Sequence, residues 1–128
     1  MRSLRCVAAA AVILAASVGT VCAQTVRTRV IRVSAERFAF TPSEITLTAG
    51  EEVELRLRSD DTAHGFRIVG MPVNVVIPKR GRNEISVIVR PTEPGRYTFE
   101  CSRMCGAGHN FMRGVLVVRE RTDRTGRR

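Results

Sequence analysis

The sequence predicts an all-β domain, a Greek-key β-sandwich of seven or eight strands. Three observations carry this. From Gln24 onward the apolar residues recur with a spacing of two, not three or four. Clusters of turn-forming residues interrupt those runs at short, regular intervals. A length of 128 residues leaves room for one domain and no more.

The N-terminal segment stands apart from that domain. Arg2 and Arg5 precede an uncharged apolar run from Cys6 to Val18, and Val21-Cys22-Ala23 ends on a small residue. This is the pattern of a secretory signal peptide over residues 1–23, with a mature chain starting at Gln24 and a periplasmic or otherwise exported destination. The run is too short to span a bilayer, and no later segment is long and apolar enough, so no membrane span is expected after cleavage. Lipid attachment at Cys22 is disfavoured by Gly19-Thr20-Val21, a poor approach to such a site.

Strands are then expected at Thr28 to Val33, Ile45 to Thr48, Val53 to Leu57, Gly65 to Val69, Val73 to Ile77, Ile85 to Val89, Tyr97 to Cys101 and Val115 to Val118. The clearest is Val53, Leu55 and Leu57 alternating with Glu54, Arg56 and Arg58, the signature of a half-buried antiparallel strand. Turns fall at Thr41-Pro42-Ser43, Ala49-Gly50, Ser59-Asp60-Asp61, Lys79 to Asn83 and Pro94-Gly95. The last ten residues, 119–128, contain five arginines, two acids and nothing apolar, and are expected to be a solvated basic tail.

Composition narrows the function. The net charge is +9, of which +7 remains without Arg2 and Arg5, and Lys79 is the only lysine. Nucleic-acid binding is disfavoured, because there is no Trp and the five Phe and one Tyr are not interleaved with the arginines as a base-stacking surface requires. The basic balance favours an acidic redox protein or the acidic face of a membrane complex as partner. Loss of residues 1–23 removes Cys6 and Cys22 and leaves two cysteines, too few for a disulfide scaffold.

Those two open a run dense in ligand-type side chains: Cys101-Ser102-Arg103-Met104-Cys105-Gly106-Ala107-Gly108-His109-Asn110-Phe111-Met112. Two thiols, an imidazole and a thioether in twelve residues form a soft donor set, which selects copper or zinc over hard cations. The other histidine, His64, opens a strand after the acidic turn, where a loop-borne ligand can meet another loop at one pole of a sandwich. Gly106, Gly108 and Gly114 allow the ligand loop to turn tightly. Singly, the cysteines read as a local disulfide, Met112 as a core residue and His64 as structural. Jointly, a C-x3-C-x3-H-x2-M run between the last two strands, with one upstream histidine, points to a metal.

Asp61-Thr62-Ala63-His64-Gly65-Phe66 and Pro94-Gly95-Arg96-Tyr97-Thr98-Phe99-Glu100-Cys101, continuing into that run, resemble the cupredoxin domain of cytochrome c oxidase subunit II, whose dinuclear copper site, CuA, also occurs in nitrous oxide reductase. The likeness extends from about Phe38 to Val118. It implies a cupredoxin-like sandwich and two copper ions bridged by Cys101 and Cys105. His64 and Met112 would complete one copper, His109 and the backbone carbonyl of Arg103 the other. It further implies an electron carrier, not an enzyme by itself, able to serve in an oxidase-like complex. Oxidases commonly have Glu at the position of Arg103, where it helps to hold magnesium, and use a Trp-containing surface to receive electrons; this chain has neither. Three rival sites use the same residues: a mononuclear blue-copper set of His64, Cys105, His109 and Met112, a structural zinc tetrahedron of His64, Cys101, Cys105 and His109, and a transient copper-delivery site.

Overall fold

The computed structural model describes residues 27–122. The expected signal peptide, 1–23, lies outside the described residues, as does the expected tail beyond Thr122. Nine strands form: β1 (Arg29–Glu36), β2 (Ala39–Thr41), β3 (Glu44–Thr48), β4 (Val53–Ser59), β5 (His64–Ile68), β6 (Val73–Ile77), β7 (Ile85–Val89), β8 (Gly95–Glu100) and β9 (Arg113–Arg119). One 3-10 turn, His109–Phe111, interrupts the loop between β8 and β9. Eight of the strands lie on the expected runs. The ninth, β2, has three residues, too few for an alternation to be readable.

The strands form two sheets, in the orders β2-β1-β4-β7 and β3-β9-β8-β5-β6. Alternation buries one face of each. In β4, Val53, Leu55 and Leu57 point inward, with Glu54, Arg56 and Arg58 outward. The expectation of antiparallel pairing holds for β4 with β7, β5 with β6 and β8, β8 with β9, and β1 with β2. It fails for β1 with β4 and for β3 with β9, which run parallel. The reason is physical: side chains alternate with period two in either direction, so alternation specifies a buried face and not a strand direction. The chain passes from one sheet to the other between β2 and β3, at Pro42-Ser43.

Three rings fill the core beneath one pole. Phe40, Phe66 and Phe99 are all but fully buried, with ring centroids 5.4–5.6 Å apart. Such pairs contribute about 0.5–1.5 kcal/mol each beyond their burial. Phe66 lies two residues after His64, and Phe99 two before Cys101, so strand alternation places the ligand-type side chains on the same inward face, one step above the rings. At the C-terminus, β9 reaches Arg119, whose carbonyl accepts from the Ala49 N–H at 2.8 Å, while Arg121 Nε donates to the Ala49 carbonyl at 3.3 Å. The basic stretch therefore begins as ordered structure.

Candidate metal centre

His64, at the first position of β5, has no exposed surface. The turn before it is closed by Ser59, whose hydroxyl donates to the Thr62 carbonyl and accepts from the Asp61 N–H. This brings Asp61 Oδ1 to 2.6 Å from His64 Nε2. An ionised carboxylate only accepts, so Nε2 carries the ring proton and Nδ1 presents a lone pair to the interior. Burial would raise the Asp61 carboxyl, but hydrogen bonds from His64 and from the Arg37 and Thr62 N–H groups outweigh it and hold the acid below the ordinary carboxylate value. The motif Asp61-x-x-His64 thus sets a candidate ligand beside the group that orients it.

The other donors come from the loop between β8 and β9. Its ends are tied by Cys101 N–H to the Met112 carbonyl, 3.0 Å, and its tip is folded by His109 N–H to Gly106 O and Met112 N–H to His109 O, both 3.1 Å. Gly106 has φ +144°, a conformation side chains rarely adopt. Gly108 and Gly114 do not have positive φ. They are needed for space instead: a Cβ on Gly108 would lie 2.3 Å from the Phe38 ring, and one on Gly114 2.2 Å from the Phe99 ring.

This folding brings the predicted donors together. Cys101 Sγ lies 3.8 Å from Cys105 Sγ, and both cysteines are free and buried. Cys101 Sγ is 4.0 Å from His64 Nδ1 and 3.0 Å from the Arg103 carbonyl. Cys105 Sγ is 3.8 Å from His109 Nδ1 and 3.8 Å from Met112 Sδ. The ligand atoms of His64, Cys101 and Cys105 all lie within 4.8 Å of one another. A thioether, two imidazole Nδ1 atoms, two thiols and one carbonyl, linked by contacts of 3.0 to 4.0 Å, suit a soft, thiophilic ion such as copper. Hard cations, which want six or more oxygens, would find one.

Burial pushes the Cys105 thiol up to about 11, assisted by its hydrogen bond with Cys101 and the charge of that neighbour. A metal must therefore displace a proton from Cys105, and its apparent affinity rises with pH. The metal-free protein behaves in the opposite sense. The folded thiol holds its proton more tightly than the unfolded one, so the associated stability is full below the ordinary value of 9.0 and is lost as pH rises through about 11. Denaturant titrations of metal-free protein at pH 8 to 11 should show a fall of about 2 kcal/mol that Cys105→Ser lacks. A matching fall in that variant would assign the slope to other groups.

Sequence reasoning missed the turn that covers this centre. Arg37 N–H donates to Asp61 Oδ2 at 2.9 Å, Arg37 Nε donates to the Cys105 carbonyl at 2.7 Å, and the Phe38 ring lies over Gly106 and Gly108. Nothing in the sequence around Arg37 marks it, because its partners are distant in the chain. A cleft of about 740 Å³ between Arg27, Glu51 and Arg90 is at the opposite pole and reaches none of the donors. A smaller polar one, about 210 Å³, opens beside His109 and reaches Cys101 and Met112.

The family model for the cupredoxin-like domain matches residues 6–118. This chain belongs to the cupredoxin-like family. Cytochrome c oxidase subunit 2 of Thermus thermophilus is 38% identical to it over 93 residues, which are 70% of this chain and 65% of that one. The chain thus spans slightly less than two thirds of that relative. Among solved structures, a chain of a heme-copper terminal oxidase dimer is similar with a TM-score of 0.63 and 26% identity, covering 70% of this chain and 64% of that one. The periplasmic domain of subunit II of cytochrome oxidase from Bradyrhizobium japonicum shares the fold, with a TM-score of 0.65, 16% identity and coverage of 72% and 84%. No helix among the described residues is long and apolar enough to cross a membrane.

Proposed function

We propose that this cupredoxin-like chain is an exported electron carrier with a dinuclear copper centre of the CuA type, held by His64, Cys101, the Arg103 carbonyl, Cys105, His109 and Met112. The observation that carries the reading is the pair of sulfurs 3.8 Å apart, each flanked by its own imidazole and a weak donor. A single tetrahedral ion would leave two of the six donors without a role. A copper pair in such a site shares one electron, so that each ion changes charge by half a unit. The protein's part is to keep the donors still: Asp61 fixes His64, the aromatic floor fixes the two strands, and the hydrogen-bonded tip fixes His109 and Met112.

Residues 1–23 act as the cleaved leader in this reading. The partner is an acidic redox protein or the acidic face of an oxidase-like complex, docking on the ligand loop. That loop carries Met104 and Phe111, 73% and 82% exposed, and exposed Arg103, while Arg113 lines the cleft beside half-buried His109. Copper titration followed by visible and EPR spectroscopy tests the centre. Two coppers per chain and a purple, electron-sharing spectrum are expected; one copper with a blue spectrum, or none, overturns the proposal.

A further inference from the structure

Arg37 is distant in sequence from every donor, yet the turn that carries it grips both halves of the donor set. Its main-chain N–H holds the carboxylate that orients His64, and its guanidinium Nε holds the Cys105 carbonyl, at 2.9 and 2.7 Å. Phe38 presses so closely on the loop tip that a Cβ on Gly106 or Gly108 would meet its ring at 2.9 or 2.3 Å. A guanidinium is charged at every accessible pH, and this one is fixed by a bond to the residue that supplies a bridging sulfur. We infer that Arg37 is a positioning residue of the metal centre, clamping the Cys105–His109 turn and, through its fixed positive charge, raising the centre's reduction potential. The second effect rests on the copper reading above. Reduction adds one electron from the partner and no proton, so a nearby cation favours the reduced state.

The test uses the full chain with Arg37→Met and Arg37→Lys. In the metal-free proteins, amide exchange over residues 105–109 should quicken at least tenfold in both variants, because neither places an N–H where Nε was. In the copper-loaded proteins, Arg37→Met should shift the redox equilibrium roughly threefold to tenfold toward the oxidised form, tenfold being about 59 mV for one electron. Arg37→Lys, which keeps the charge, should recover most of that shift. Unchanged exchange overturns the clamp, and an Arg37→Met potential within twofold of the parent equilibrium overturns the electrostatic role. If Arg37→Met does not fold, Arg37→Leu, which likewise carries neither the donor nor the charge, replaces it. A parent protein that binds one copper or none sinks the dinuclear reading instead, and the exchange measurement still decides the clamp.

Discussion

Cys101→Ser is expected to turn a purple, two-copper protein into one that holds a single copper. A serine hydroxyl is a hard, neutral donor and cannot bridge a metal pair as a thiolate does. What survives is His64, Cys105, His109 and Met112, itself a blue-copper ligand set. The fold should tolerate the change, since the main-chain N–H of Cys101 keeps its bond to the Met112 carbonyl and a serine hydroxyl, like the thiol, can donate to the Arg103 carbonyl and accept from the Gly65 N–H. Metal analysis should read one copper per chain, with a strong absorption in the blue-copper region. Two coppers and an unchanged spectrum would remove Cys101 from its bridging role.

Gly65→Ala should damage the fold and the centre together. A Cβ there would stand 2.2 Å from Ser102 Oγ, 2.6 Å from the Arg103 nitrogen and 2.8 Å from the Ser102 nitrogen. The hydroxyl can swing aside, but the two backbone atoms cannot move without taking the ligand loop with them. Overpacking of this kind costs about 1–3 kcal/mol. For a domain of this size that lowers the melting temperature by roughly 5–20 °C. The Arg103 carbonyl and Cys101 sulfur move with the loop, so copper occupancy should fall below the parent value even where the protein remains folded. A melting temperature within two degrees of the parent, with full copper loading, would show that the crossing is looser than its geometry.

The buried faces of eight strands were legible because alternation reports which side meets the core. Strand direction was not, and the parallel pairs of β1 with β4 and β3 with β9 had to be seen. The candidate side-chain donors were legible for a different reason: four of the five fall within twelve residues, and the fifth is the only other histidine, whereas the Arg103 carbonyl, a main-chain oxygen, came only with the resemblance. The groups that hold the donors were less so. Asp61 stood in the acidic turn and in the segment that resembles subunit II, with no role of its own. Arg37 and Phe38 were not legible, since the Arg37 contacts to Asp61 and Cys105 span 24 and 68 residues and leave no local pattern. The glycines were half legible: their smallness was evident, but only Gly106 needs it for its backbone angle, while Gly108 and Gly114 need it for aromatic neighbours.

The parallel pairing of β3 with β9 makes an early segment wait for a late one. Ile45 faces Leu116 and Leu47 faces Val118 across that pair, so β3 gains its neighbour in the sheet only when nearly the whole chain is available. Contacts of such long sequence separation slow folding toward the millisecond-to-second range. The same late strand anchors the ligand loop, because β9 starts one residue after Met112. A chain still being made, or cut before Arg113, therefore presents its thiols and imidazoles without the frame that brings them together. Convergence of the donors is in this way coupled to the presence of β9: a chain that lacks this strand is expected to bind metal more weakly than one that has it.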